Sequence, residues 1–183
     1  GSRLMPFSKN LFIERDDFKE DANRKYFRLT LGKEVRLKNG YIIEGQSVIK
    51  DADGTITEIH CTYDPDSKSG SGSEASQRKV KGTIHWVNQE TAIAAQVNLY
   101  DRLFSDESPD QHKEQEFTEF INQDSLKQIT AQVEPSLVNL TPGTNVQFQR
   151  LGYFVTDTDS TAEHLIFNKT VGLRDTWAKK ANN

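Results

Sequence analysis

Residues 34–63 read EVRLKNGYIIEGQSVIKDADGTITEIHCTY, and the fold class turns on them. In Glu34-Val35-Arg36-Leu37-Lys38, apolar and charged residues alternate with the period of two that a half-buried strand requires. Val35 and Leu37 then face a core, while Arg36 and Lys38 project together from the other side. Asn39-Gly40 and Asp53-Gly54 punctuate the stretch, and both dipeptides tolerate the positive φ of a tight hairpin turn. Strands at 34–38, 41–50 and 56–63 follow, and they predict an antiparallel meander in place of βαβ units.

The same rhythm continues outward. Short β-branched and aromatic runs predict further strands at 11–14, 27–31, 79–87, 95–104, 125–133, 145–157 and 165–173. The charged run 16–26 predicts a short helix capped by Asp16 or Asp17, and 117–121 a brief helical turn. Residues 64–77, DPDSKSGSGSEASQ, have almost no apolar content and read as a mobile loop joining strands. The expected class is all-β: two small closed β-barrels with short helical segments, divided near Ala92. A lead-in at 1–4 precedes a first barrel at 5–94 and a second at 95–183, with strand exchange between them left open. Closure removes the exposed edges that so many short strands would otherwise present. A single large sandwich is the alternative.

Charge is distributed unevenly. Arg24 to Lys38 carries six basic side chains and one acidic one, in a chain of 183 residues with net charge −4. Such a local reversal of sign suits a polyanion, whereas a solvated strand edge kept from aggregating by Lys and Arg would look the same. Leu99 to Asp124 opposes it with eight acidic and two basic residues and would repel phosphate. In Val146-Gln147-Phe148-Gln149-Arg150 a regular strand puts Gln147 and Gln149 on one face. Gln and Arg offer planar sets of hydrogen-bonding groups suited to exposed base edges. A polar strand face ending in arginine is the plainer reading of the same residues.

Several classes are disfavoured. No apolar run approaches the ~20 residues of a membrane span, and no apolar signal region opens the chain. Gly1-Ser2 looks like the scar of a removed tag. Cys61 is the sole cysteine, lies in a strand, and reads as a packed thiol in a reducing cytoplasm. His60, His85, His112 and His164 are scattered singly, so no metal site is expected. No phosphate loop, dinucleotide fingerprint or nucleophile elbow occurs, which favours binding over catalysis.

The blocks IERDDF (13–18), LGKEVRLKN (31–39), KVKGTIHWV (79–87), LYDRLF (99–104), EPSL (134–137) and FNKTVGLRDTWAK (167–179), with MPFS at 5–8, occur in an order that is specific. Together they resemble the C-terminal anticodon-binding portion of the glutaminyl-tRNA synthetases, almost end to end. The eukaryote-type glutamyl-tRNA synthetases are the close alternative. The resemblance implies two barrels of the type seen in a ribosomal 5S-RNA-binding protein, with an anticodon loop lying across both. It also implies roles. Arg36 and Lys38 fall where the first anticodon base is met, and Lys38 stands where the family usually has arginine, which removes a bidentate fork. Arg28 falls at the third base, Gln147 and Arg150 at the central uracil, and Arg24 and Lys25 near the backbone. Phe27 replaces a frequent lysine. The implied partner is a glutamine-accepting tRNA bound by a monomer. ATP and magnesium would be used by a catalytic domain this chain lacks. Two rivals stand beside it: a ribosomal-type RNA-binding β-barrel module without an enzyme, and a protein-interaction domain.

Overall fold

The structure, a computed structural model, describes residues 3–173. It divides into two compact units, one of residues 6–90 and one of residues 91 onward joined by residues 3–5. The first unit contains β1 (Leu11–Ile13), β2 (Glu34–Leu37), β3 (Ile42–Lys50), β4 (Ile56–Asp64), the one-turn helix α1 (Glu74–Gln77), β5 (Thr83–Ile84) and β6 (Trp86–Asn88). Its sheet runs β4-β3-β2-β5, and β1 pairs separately with β6. The second unit contains β7 (Ile93–Tyr100), β8 (Leu126–Val133), β9 (Asn145–Phe148), β10 (Gly152–Thr156) and β11 (Leu165–Val171), in the order β8-β7-β11-β10-β9.

The alternation on β2 orders the first unit. Val35 and Leu37 are buried, together with Leu29, Ile42, Ile84 and Trp86, and each such side chain contributes about 1.5–3 kcal/mol of burial. The Asn39-Gly40 turn forms with Asn39 at φ 58°, and the Leu37 amide donates to the Tyr41 carbonyl at 2.8 Å. At the second turn Gly54 takes φ 80°, and the Asp51 carboxylate accepts from the amides of Asp53 and Thr55. In the second unit Ala95, Val97, Val133, Phe154, Leu165 and Phe167 form the core. Phe148 stacks on Phe154 with centroids 4.4 Å apart and meets Phe167 edge-on. Arg3 reaches Glu134 of the EPSL block at 2.5 and 2.8 Å, which joins residues 3–5 to this unit.

The expectations at 16–26 and 27–31 need correction. A 3-10 turn at Arg15–Asp17 replaces the helix, because Asp17 and Phe18 turn inward and their neighbours bond to Leu29: Lys19 N–H to its carbonyl, its N–H to Asp17. Residues 27–31 make two isolated bridges, Phe18–Leu29 and Leu31–Gly45, in place of a strand. The run 79–87 breaks at His85, and 145–157 is a hairpin, not one strand. The meander is interrupted by two parallel pairs, β2–β5 and β7–β11, each spanned by a long crossover. Among the described residues the strand pairing forms open sheets of two, four and five strands; the expected closed barrels are not seen in it. The 3-10 turn at Phe117–Phe120 forms as expected. Gly1-Ser2 and the RDTWAK end of the last block lie outside the described residues.

Residues 64–77 are built, not merely connecting. The buried Ser67 hydroxyl accepts from the Ile42 amide at 2.8 Å and donates to the Asp64 carbonyl at 2.6 Å. Ser73 caps α1 by accepting from the Ser76 amide. Cys61 is exposed on β4, not packed, and partial desolvation pushes its thiol up to about 11, so it stays protonated at neutral pH.

Gly82 is a point of close packing in the first unit. A Cβ there would lie 2.5 Å from the Phe27 carbonyl oxygen and 3.1 Å from Val35 Cγ1. Gly82→Ala is therefore expected to lower the unfolding free energy by about 1–3 kcal/mol, the usual cost of overpacking, as measured by urea denaturation. An unchanged midpoint would contradict this geometry.

Candidate nucleic-acid interface

The cations of 24–38 divide into those engaged within the chain and those that are not. Arg36 leaves β2 between two buried side chains and is half-buried. Its Nη1 donates to the Ser67 carbonyl (2.9 Å) and Ser69 Oγ (3.2 Å), and its Nη2 to the carbonyls of Ser76 and Arg78 (both 3.1 Å). All four terminal N–H groups are thus used on the segment 67–78. Arg78 in turn pairs with Glu34 and, at 3.0 Å, with Asp64. Arg28 Nη1 donates to the buried Asp17 carboxylate at 2.9 Å, leaving about a third of its side chain exposed.

Lys38 is half-buried at the end of β2. Its backbone is fixed on both sides: its amide donates to the Ile84 carbonyl, and its carbonyl accepts from Trp86 Nε1, both at 2.9 Å. Among the described residues its ammonium has no acidic partner. Arg24 and Lys25 are exposed on a turn in which Asn23 Oδ1 accepts from the Lys25 amide, and they too have no acidic partner there. Arg36 and Lys38 therefore do not act as equals: the guanidinium of the first is spent on the chain, and the ammonium of the second is not.

In the second unit Gln147 is exposed on β9, opposite the exposed Tyr153 on β10. Val146 and Phe148 turn to the core, as alternation requires. Arg150 is not on the strand. It occupies the hairpin turn at φ 70°, where the Leu151 amide donates to the Phe148 carbonyl at 2.9 Å, and the residue is half-buried.

Sequence reasoning missed a set of amides on the five-stranded sheet. Asn98 Oδ1 accepts from Gln96 (3.0 Å) and Gln128 (3.1 Å), while Asn98 Nδ2 donates to Asn168 Oδ1 at 2.8 Å. Tyr100 donates to the same oxygen at 2.8 Å, and Asn168 donates to Asp157. The Gln96, Asn98, Tyr100 spacing of two was the available signal. Among the described residues no group of three or more His, Cys, Asp or Glu side chains could hold a metal, and no helix is long and apolar enough to cross a membrane.

Residues 1–64 and 83–157 each match a model described as tRNA synthetases class I (E and Q), anti-codon binding domain. The chain belongs to this family. It is 54% identical over 180 residues to a glutamine–tRNA ligase of Rhodopirellula baltica, covering 98% of this chain and 30% of that protein. Glutamine–tRNA ligases of Vibrio parahaemolyticus and Serratia proteamaculans are 51% and 52% identical, over 100% and 98% of this chain and 32% of each relative. The chain thus spans about a third of the length of the curated relatives it matches.

In this anticodon-binding chain two acids lie beside the basic segment. Burial pushes the Glu14 carboxyl above its ordinary 4.5, partly opposed by His85, and pushes Asp17 above 3.8, opposed by Arg28. The folded chain holds both protons more tightly than the unfolded chain does. Their contribution to stability is present in acid and lost as pH rises through the folded values. Glu14→Gln is expected to raise the thermal midpoint near pH 8 while changing little near pH 4; an equal shift at both pH values would contradict the sign. Arg36→Ala is expected to cost roughly 1.5–3 kcal/mol or more, through lost charge-assisted bonds. It should also open 64–78 to protease cleavage, and cleavage as slow as in the wild type would count against its clamping role.

Proposed function

We propose that this chain is the anticodon-binding part of a glutamine–tRNA ligase, and that it recognises the anticodon loop of a glutamine-accepting tRNA. The whole protein would join glutamine to that tRNA using ATP and magnesium in a separate catalytic domain. The observation that carries this reading is the dense basic segment 24–38 in an otherwise acidic chain of this family. The names of the relatives favour the glutamine over the glutamate branch. Each unit is read as a barrel of the ribosomal 5S-RNA-binding type on the strength of the sequence resemblance.

The side chains then take different roles. Lys38 carries the charge offered to the first anticodon base, and Arg36 positions it indirectly by fixing the segment 67–78 against β2. Arg28 keeps donors for the third base beyond the one given to Asp17. Gln147 supplies a planar amide to the central base, with Arg150 in the adjoining turn. Arg24 and Lys25 meet phosphates. The fragment supplies binding energy and discrimination; the bond-making belongs elsewhere.

Filter binding to tRNAs that differ at the central anticodon base tests this. The wild-type chain should prefer one base, and Gln147→Ala should erode that preference by about 5- to 150-fold, the worth of one bidentate base contact. Lys38→Ala should lower the slope of log affinity against log salt by about 0.7, the value for one single-strand phosphate contact. Equal affinity for all four tRNAs would overturn the readout.

A further inference from the structure

Phe27 is a large apolar side chain that the fold does not bury. It is 50% exposed, and Lys81 holds its ammonium 5.7 Å from the ring centroid. Among the described residues no other aromatic ring lies against it. Its backbone is nevertheless among the most closely held in the unit. Gly82 packs against the Phe27 carbonyl so tightly that a Cβ would not fit, and the Gly82 carbonyl accepts from the Arg36 amide at 2.9 Å. The ring is thus mounted on β2 through Gly82, between Tyr26, itself under Lys19 at 5.3 Å, and Arg28. Lys81 is exposed, as are Arg24 and Lys25, which precede the ring in the chain by three and two residues.

A half-exposed ring on a closely packed backbone, with one ammonium over its face and basic residues next to it in the chain, is poorly matched to an apolar protein partner, which would have to desolvate those charges. It is well matched to a single-stranded polyanion, whose bases stack on aromatic faces while its phosphates meet Lys and Arg. We propose that Phe27 and Lys81 form a stacking site for one unpaired base of the bound RNA, the ring taking the base and the ammonium an adjoining phosphate. This rests on the anticodon-binding reading above and adds a contact to it.

The test uses the 183-residue chain and an anticodon stem-loop of the glutamine-accepting tRNA, with 2-aminopurine placed at successive loop positions. Binding of the wild type should quench one position. Phe27→Leu keeps apolar bulk, so its melting curve should match the wild type. It should lose that quench and bind about 5- to 150-fold more weakly. Phe27→Tyr should keep both, and Lys81→Gln should keep the quench while lowering the salt slope by about 0.7. If Phe27→Leu binds and quenches like the wild type, the stacking site is overturned while RNA binding stands. If the wild-type chain binds neither the stem-loop nor intact tRNA, both readings fall together.

Discussion

The segment 64–78 cannot fold by burying apolar surface, because it has almost none; it depends on one guanidinium. Arg36 can serve because its backbone is fixed by Val35 and Leu37, whose side chains are buried on the opposite face of β2. From that fixed base it satisfies three carbonyls and a hydroxyl on a segment that also carries the α1 cap and the Ser67 bond to β3. Loss of such a centre leaves several acceptors unpaired at once, which is why charge-assisted bonds of this kind weigh more than surface ion pairs.

A count of charges therefore overstates what is available to a ligand. Of the six cations between Arg24 and Lys38, Arg36 and Arg28 are engaged on internal partners. Arg24, Lys25, Lys33 and Lys38 keep their charge for solvent or for an anion. Arg36 with its planar fork is spent where several acceptors converge. Lysine, a point charge on a flexible stem, is left where contacts are electrostatic.

Much of this was legible in the chain. The alternation at 34–38 and the Asn39-Gly40 and Asp53-Gly54 turns specify β2, β3 and β4 because local chemistry alone decides them. The helix predicted at 16–26 failed because Asp17 and Phe18 are claimed by Leu29 and the core, a tertiary preference that no local pattern reveals. The order within 64–77 was hidden for a similar reason: its serines read as flexible until Arg36 is brought to them. The basic and amide residues were found from the sequence, but their inequality was not. That Arg36 is enclosed, Arg150 turned into a hairpin corner, and Phe27 left half-bare is decided by neighbours distant in sequence.

The parallel pairing of β7 with β11 has a bearing on how the second unit is made. Ala95 lies opposite Leu165, so one margin of β7 has no mate until the last core strand has been synthesised. At about 5–20 residues per second, that margin waits roughly 4–14 s on the ribosome, whereas β3 and β4 zip together as soon as their turn emerges. Assembly is thereby ordered in time. The first unit can mature alone, while the nascent second unit passes through an interval in which its central strand is open to mispairing with a neighbouring chain.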